Sequence, residues 1–226
     1  MTPFLAGARA AIPVVLGYLG IGFAAGVVER AAGLSYAEIA LLSMVLYAGS
    51  AQFVVSSMLS LAAAVPAIVF TVFLLNVRHL LLSAALAPRL AGVPIWKNAL
   101  VGLQLTDETF VVAAAQARLS PAWMAGLNLA AWSAWALANL AGAALSSLAP
   151  DTRALAFALP CMFAGLLVLQ AYAAPRRGIA CAVALVAAAA AVLLHALSAG
   201  PAAIIVATAL AATAGLAIER WKYARR

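Results

Sequence analysis

The chain of 226 residues is 68% hydrophobic and only 8% charged, with a mean hydropathy of +1.12 and a net charge of +7. So little polar surface cannot cover a soluble core, and long unbroken apolar runs exclude the alternating strands of a barrel. The composition therefore predicts an all-α polytopic membrane protein formed as a single transmembrane domain. Its basic residues lie mainly at segment ends, as in the cytoplasmic flanks of membrane proteins, so we expect no nucleic-acid partner.

Eight apolar segments, each long enough to cross a bilayer, follow one another along the chain. We place them at about 9–29, 37–60, 66–86, 96–117, 122–148, 154–174, 179–197 and 201–218. With eight spans, the side holding both termini carries eight Lys and Arg residues and the opposite side carries four. Seven spans would reverse this bias, so the positive-inside rule favours eight spans with both termini in the cytoplasm.

A short motif recurs between the first and second spans of two three-span blocks. Residues 32–37, Ala-Gly-Leu-Ser-Tyr-Ala, align with residues 117–122, Ala-Arg-Leu-Ser-Pro-Ala. Three-span blocks enter the membrane from opposite sides, and many secondary transporters place their substrate near the midplane between such repeats. We therefore predict inverted repeats at 7–90 and 94–176 with broken helices at the midplane, and a C-terminal helical hairpin at 178–218.

Several small residues and one proline mark places where a span could break or pack closely. Gly17, Gly20 and Gly22 lie in the first span, Gly49 in the second and Pro160 in the sixth. Glycine permits close helix approach, and it also lowers the cost of unwinding a helix that lines a cavity. Both interpretations stay open for the glycines, whereas Pro160 predicts a kinked or broken helix.

Polar and ionisable side chains interrupt the middle of three spans. They are Gln52 in the second span, Asn76, Arg78 and His79 in the third, and Thr106, Asp107 and Glu108 in the fourth. A charged side chain at the bilayer centre costs at least about 2.5–3.5 kcal/mol on insertion scales, so such groups indicate a pathway, a partner or a substrate. Gln52 could bridge helices or bind the polar end of a substrate.

Arg78 is expected to pair with Asp107 or Glu108, since an uncompensated buried charge costs about 3–5 kcal/mol. If the third span is a continuous helix, Arg78 points away from Asn76 and His79. Either that helix breaks or another element covers its Arg78 face. One carboxyl remains after pairing, and with His79 it could handle a proton or a substrate.

Four segments resemble the signature sequences of AzlC-type branched-chain amino-acid permeases. They are Tyr-Ala-Gly-Ser-Ala-Gln-Phe at 47–53, Leu-Asn-Val-Arg-His-Leu-Leu-Leu at 75–82, Ala-Pro at 87–88 and Leu-Thr-Asp-Glu-Thr-Phe at 105–110. The likeness extends from Gly17-Tyr18 to Phe-Ala-Leu-Pro at 157–160. It implies a bacterial inner-membrane exporter of branched-chain amino acids, or in some members methionine, with a small membrane partner of the AzlD type.

The polar residues fit the needs of such a substrate. A zwitterion requires a cation for its carboxylate and an acceptor for its ammonium group, which Arg78 and one of the two carboxyls could supply. A hydrophobic amino-acid side chain could then rest against Phe53 or Phe110.

The sequence contains no nucleotide-binding loop, so we expect coupling to protons or another ion through His79, Asp107 or Glu108, with no cofactor and no metal. Other classes stay open: an intramembrane enzyme using these groups as acid and base, or a non-transporting assembly subunit. No zincin, nucleophile-elbow or paired-aspartate motif supports the enzyme. A homo-oligomer is compatible with the sequence.

Overall fold

The computed structural model describes residues 1–148, 176–197 and 202–223, together with positions 161, 164, 165, 167, 168 and 171. The described residues form helices and the turns between them, which confirms the all-α prediction. The chain divides into two compact units, Met1–Leu159 and Pro160–Arg226. Pro160, most of the predicted sixth span and the end of the basic tail lie outside the described residues.

The described part of the first unit is built from eight α-helices joined by short turns. They are α1 (Pro3–Ala10), α2 (Ile12–Ala31), α3 (Tyr36–Leu41), α4 (Gly49–Ser60), α5 (Val65–Leu86), α6 (Ile95–Leu103), α7 (Asp107–Ala115) and α8 (Pro121–Ala144). A π-helical turn covers Leu42–Leu46, and 3-10 turns cover Ala87–Leu90 and Ser146–Leu148.

Within the part of the chain that the structure describes, three helical segments are long and apolar enough to cross a membrane: Ile12–Ala31, Val65–Leu90 and Arg177–Ala196. The second and fourth predicted spans are each divided into shorter helices, α3 with the π turn and α4, and α6 with α7. The count of eight spans and the position of the termini therefore stay predictions.

The two aligned sequence motifs have the same local structure. Ser35 and Ser120 each precede a helix and accept a hydrogen bond from the backbone N–H three residues later. This is the N-cap role that serine serves best, because its hydroxyl satisfies a donor left free by the first helical turn. Both motifs thus begin a helix, while the larger inverted repeat remains a prediction.

The core of the first unit forms where α1 and α2 pack along α8. A Cβ atom added to Gly26 would overlap the carbonyl oxygen of Asn139, and one added to Gly142 would overlap that of Phe23. Reciprocal glycine contacts of this kind bring the two backbones into direct contact. Since lipid offers no hydrophobic incentive for helices to associate, such close packing is what holds membrane helices together.

The predicted glycines of the first span have different environments. Helix α2 runs without a break through Gly17, Gly20 and Gly22. A Cβ added to Gly22 would lie 2.9 Å from the Cβ of Ala138, so this glycine has a packing role. One added to Gly17 or Gly20 would meet nothing within 4 Å, so the structure gives these two neither a break nor a close contact.

The described part of the second unit contains two packed helices, α9 (Arg177–Ala196) and α10 (Ala202–Tyr223). They occupy the predicted seventh and eighth spans. No residue of α9 is buried. An exposed ion pair joins Arg176 to Glu219 at 2.8 Å, near the start of one helix and the end of the other.

Candidate functional site

The first helix break divides the second predicted span after its π-helical turn. Tyr47 adopts a left-handed conformation with φ of 43°, Ala48 is extended, and α4 begins at Gly49. A left-handed backbone is uncommon for a residue other than glycine, and surrounding contacts must hold it. The indole nitrogen of Trp132 provides one, since it donates to the carbonyl oxygen of Met44 at 3.0 Å.

Gly49 lies at this break and is also closely packed. A Cβ atom added there would lie 2.8 Å from the indole ring of Trp135 on α8. The two roles considered for Gly49, breaking a helix and packing against one, therefore coincide. The absence of a side chain lets the start of α4 approach the tryptophan.

The second break divides the fourth predicted span between α6 and α7. Thr106 caps α7 through its hydroxyl, which accepts from the backbone N–H of Thr109, and Thr109 Oγ1 accepts from the N–H of Thr106. Asp107 and Glu108 then occupy the first turn, where the helix dipole favours negative charge. The capping residues explain why a new helix starts in the middle of an apolar segment.

Arg78 on α5 connects the two breaks. Its guanidinium pairs with the carboxylate of Asp107 at 2.9 Å and donates to the hydroxyl of Ser50 at 2.6 Å. Ser50 lies in the first turn of α4 and Asp107 in the first turn of α7. Helix α5 is continuous here, so other elements meet its Arg78 face, and the arginine pairs with Asp107 rather than Glu108.

The remaining carboxyl, Glu108, binds a tyrosine from α2. The hydroxyl of Tyr18 donates to Glu108 Oε2 at 2.7 Å and lies 2.8 Å from Thr106 Oγ1. Because the phenol has one proton and gives it to the carboxylate, the threonine is the donor in the second contact. Within the described part of the chain, Glu108 has no ion-pair partner. We call Tyr18, Ser50, Arg78, Thr106, Asp107 and Glu108 the Arg78 cluster.

Three further polar side chains surround this cluster. His79 lies within electrostatic reach of Arg78 and Glu108. The amide oxygen of Asn76 and the hydroxyl of Tyr47 are buried and have no hydrogen-bond partner within 3.5 Å among the described residues, although Tyr47 lies near the hydroxyl of Tyr18. Buried polar atoms without partners are rare in native proteins and call for an explanation, such as a bound group.

Gln52 belongs to a second, fully buried cluster. Its amide nitrogen donates to Glu29 Oε1 at 2.8 Å and contacts Ser43 Oγ at 3.1 Å and Asn139 Oδ1 at 3.4 Å. Its amide oxygen accepts from the indole nitrogen of Trp135 at 2.6 Å. We call these five residues the Gln52 cluster.

The two clusters meet through aromatic rings. The rings of Tyr18 and Trp135 pack edge to face with their centroids 5.0 Å apart. Tyr18 binds the Arg78 cluster through its hydroxyl, and Trp135 binds Gln52 through its indole N–H. A continuous series of contacts therefore joins Glu108 to Glu29.

The structure brings four of the predicted residues together and adds two, Glu29 and Tyr18, that the sequence did not indicate. Arg78, Thr106, Asp107 and Glu108 come together, Asn76 and His79 lie beside them on α5, and Gln52 lies in the other cluster. Glu29 and Tyr18 were missed because Glu29 stands at a predicted span end beside Arg30 and a lone tyrosine carries little signal. The spacing of Gly22, Gly26 and Glu29 on one helix face could have indicated that Glu29 points into the packed interface.

The described residues contain no group of three His, Cys, Asp or Glu side chains positioned to hold a metal ion. The free cysteines Cys161 and Cys181 are exposed and belong to the second unit.

Comparison with known proteins identifies the family. The model of the AzlC protein family matches residues 13–149, which include every residue of both clusters. Inner membrane protein YgaZ of Escherichia coli is 32% identical over 176 residues, covering 73% of this chain and 72% of the relative. An uncharacterized membrane protein of Archaeoglobus fulgidus is 32% identical over 160 residues, covering 69% and 70%.

An uncharacterized membrane protein of Helicobacter pylori is 27% identical over 164 residues, covering 70% of this chain and 72% of the relative. No solved structure matches the chain. The chain is thus a membrane protein that belongs to the AzlC family, which is generally associated with branched-chain amino-acid transport.

Proposed function

We propose that this protein is a secondary transporter that exports branched-chain or related hydrophobic amino acids and binds them at the Arg78 cluster. The observation that carries the proposal is the guanidinium of Arg78, which joins the N-terminal turns of two half-helices. Transporters commonly form substrate sites from interrupted helices near the bilayer midplane, where half-helix N-termini attract anionic groups. Membership in the AzlC family supports the same substrate class.

The position of the cluster along its helices supports a midplane site. Arg78 is the fourteenth of the 22 residues of α5. Tyr18 is the sixteenth of the 29 residues from the start of α1 to the end of α2. Both side chains therefore lie in the interior of apolar helical segments, more than one turn from either end.

The start of α4 is suited to receive the substrate carboxylate. Ala48 occupies the N-cap position and provides no side-chain acceptor for the first N–H groups of α4. These donors and the Arg78 guanidinium lie at one helix terminus, because Ser50 in that first turn is bound by Arg78. Backbone N–H groups, a helix dipole and an arginine together make a favourable carboxylate site.

Glu108 is our candidate for the substrate ammonium group. It lies in the first turn of α7 and is held by Tyr18, while Asp107 is already paired with Arg78. The apolar side chain of the substrate would rest against Phe53 or Phe110. Phe53 is buried in one hydrophobic core cluster, and Phe110 packs against the other.

We also propose that export is coupled to protons or another ion and that a small AzlD-type membrane subunit assembles with this chain in the inner membrane. The candidate carriers are Asp107 and Glu108 of the Arg78 cluster and His79, which lies beside it on α5. The family contains transporters rather than enzymes, which removes support from the intramembrane enzyme. Co-purification with a tagged AzlD-type protein tests the assembly.

Counterflow of labelled leucine, isoleucine or methionine in proteoliposomes tests the transport proposal, with the chain alone and with an AzlD-type protein. Arg78→Ala, Asp107→Asn and Glu108→Gln should each reduce counterflow at least tenfold while the protein remains folded. Arg176→Ala is the matched control, because it removes an arginine from an ion pair of 2.8 Å that lies in the second unit. Normal counterflow in all three cluster variants would overturn the site, and no counterflow by wild type in either format would overturn transport.

A further inference from the structure

We propose that Glu29 is an intramembrane proton-binding site, that it holds its proton in this structure, and that it is the group through which proton movement is coupled to transport. The coupling part rests on the proposed function, whereas the proton site itself does not. Glu29 lies outside the groups considered for coupling above.

Glu29 is completely buried, yet no charged side chain of the described residues compensates it. Its side chain lies between α2, α4 and α8 and the π turn, and the last three carry no ionisable group. Its neighbour Arg30 turns away, since it donates to the carbonyl oxygen of Leu34 and lies over the ring of Tyr36. On α3, the carboxylate of Glu38 is exposed and bound to Ser35.

The hydrogen bonds around Glu29 have only one possible direction. The indole N–H of Trp135 can only donate, so the atom of Gln52 that it meets is the amide oxygen. The other end of Gln52 is therefore its NH2 group. In the same way, the NH2 group of Asn139 donates to the carbonyl oxygen of Trp135, so Asn139 presents its oxygen to Gln52.

Among the described residues, this assignment leaves Glu29 with one hydrogen-bond donor, the NH2 group of Gln52. The NH2 group of Gln52 has two hydrogens but faces three acceptors, on Glu29, Ser43 and Asn139. The second carboxyl oxygen of Glu29 is buried and has no hydrogen-bond partner. A proton on Glu29 removes an uncompensated negative charge from a fully buried position. A carboxylate without a compensating charge is strongly disfavoured there, so the neutral acid is the stable form.

The location of Glu29 connects its proton to the substrate site. Tyr18 and Glu29 are eleven residues apart on α2, which corresponds to about 16 Å along the helix. Across this distance, Glu29 contacts Gln52, Gln52 contacts Trp135, and Trp135 packs on the ring of Tyr18. The hydroxyl of Tyr18 then binds Glu108. Loss of the proton would leave a carboxylate that competes for the Gln52 NH2 group. A shift of Gln52 would then change the hydrogen bond that its amide oxygen accepts from Trp135.

Glu29 also contacts the first helix break through Gln52. Ser43 belongs to the π-helical turn that ends at the left-handed Tyr47, and α4, which carries Gln52, begins two residues later. A change in the hydrogen bonding of Gln52 therefore acts on both sides of this break. The break forms the N-terminal turn of α4 that we assign to the substrate carboxylate.

Infrared spectroscopy of the full chain in lipid detects the proton without any assay of transport. At neutral pH the wild-type protein should show the C=O stretch of a protonated carboxylic acid, which Glu29→Gln should lack. Glu38→Gln is the matched control and should keep the band, because Glu38 is an exposed carboxylate. A band of equal intensity in wild type and Glu29→Gln, or no band in wild type, would overturn the proton site.

A second variant serves if Glu29→Gln fails to fold. Ser43→Ala leaves Glu29 in place and removes one of the acceptors in its cluster. The change in hydrogen bonding should shift the frequency of the acid band. An unchanged frequency in Ser43→Ala would assign the band to another group and would likewise overturn the proposal.

Transport measurements test the coupling. In proteoliposomes with a pH gradient, Glu29→Gln should reduce substrate accumulation at least tenfold, while counterflow without a gradient should remain near the wild-type rate. Accumulation equal to wild type, or loss of counterflow together with accumulation, would contradict a coupling role. If wild type transports none of the tested amino acids but the acid band disappears in Glu29→Gln, the proposed function fails and the proton site stands.

Discussion

The two polar clusters of the first unit stabilise polar groups inside an apolar protein in different ways. The Arg78 cluster compensates charge with charge, and its central pair remains partly accessible, with side-chain exposures of 30% for Arg78 and 22% for Asp107. The Gln52 cluster is fully enclosed and relies on amide and hydroxyl groups around one carboxyl, Glu29.

This difference leads to different expectations for substitutions in the two clusters. An accessible ion pair can exchange one partner for a substrate group, because the substrate replaces the charge and hydrogen bonds of the side chain that it displaces. An enclosed network has no such replacement, since removal of one member leaves other groups buried without partners. We therefore expect substitution of Arg78 to act mainly on transport and loss of the Gln52 amide to act mainly on stability.

The largest effect is expected for Gln52→Leu. This change leaves the Trp135 N–H and the Glu29, Ser43 and Asn139 oxygens without the amide that joins them. We expect the free energy of unfolding in lipid or detergent to fall by about 4 kcal/mol, since each unsatisfied buried group costs about 1–3 kcal/mol.

Gln116→Leu, on an exposed position after α7, is the matched control for this change and should alter stability by less than about 0.5 kcal/mol. Equal stabilities of the two variants would show that the Gln52 cluster does not maintain the fold.

Gly26→Ala should be the next most disruptive change. The added Cβ would overlap the backbone of Asn139, so α2 and α8 must separate and the Gln52 cluster must widen. We expect a loss of about 3 kcal/mol in the free energy of unfolding, measured by thermal or denaturant unfolding. Gly17→Ala, where the Cβ meets open space in the same helix, should be neutral or stabilising. A similar loss in both variants would contradict the close α2–α8 contact.

Arg78→Lys should have a smaller effect on stability and a clear effect on transport. Lysine keeps the charge but lacks the planar group with which Arg78 contacts Asp107 and Ser50 together. We expect substrate counterflow to fall about tenfold, equivalent to about 1.4 kcal/mol, with the unfolding free energy lowered by less than about 1 kcal/mol. Arg176→Lys should leave counterflow unchanged, and a larger loss of stability than of transport in Arg78→Lys would reverse the comparison.

Tyr18→Phe should give the smallest effect on transport, because it affects only one end of the link between the clusters. The ring can still pack on Trp135, while the hydrogen bond to Glu108 is lost. We expect a destabilisation of about 1–2 kcal/mol and a reduction of counterflow of a few fold. Tyr36→Phe, at an exposed tyrosine, is the control. Unchanged stability and counterflow in Tyr18→Phe would show that the Tyr18 hydroxyl does not hold Glu108.

The sequence indicated the Arg78 site because depth and charge are readable along a chain. Arg78, Asp107 and Glu108 stand in the middle of apolar segments, and only partners within the protein can compensate them there. It could not choose between the two carboxyls, since Asp107 and Glu108 are adjacent and the first turn of a helix presents them in different directions. That choice depended on the N-cap of α7 at Thr106, whose signal is short and easily overlooked among apolar residues.

The Gln52 cluster was beyond the reach of the same reasoning. Glu29, Ser43 and Asn139 lie far apart in the sequence, and each has an ordinary explanation as a helix-end charge, a packed hydroxyl or a packed amide. Their convergence depends on the approach of α2 and α8 at Gly26 and on the π turn before Tyr47. Neither is a periodic feature of the chain.

By itself, the sequence determined that this protein is helical and lies in a membrane, and it marked the depth at which its ionisable groups lie. Those properties follow from composition and from the length of apolar segments, which act residue by residue. Only the tertiary structure decided that Arg78 joins Ser50 to Asp107 and that Glu29 stands alone among amides. Such pairings depend on which helices touch and at what angle, and for α2 and α8 this depends on Gly26 and Gly142, each of which meets a backbone carbonyl of the facing helix.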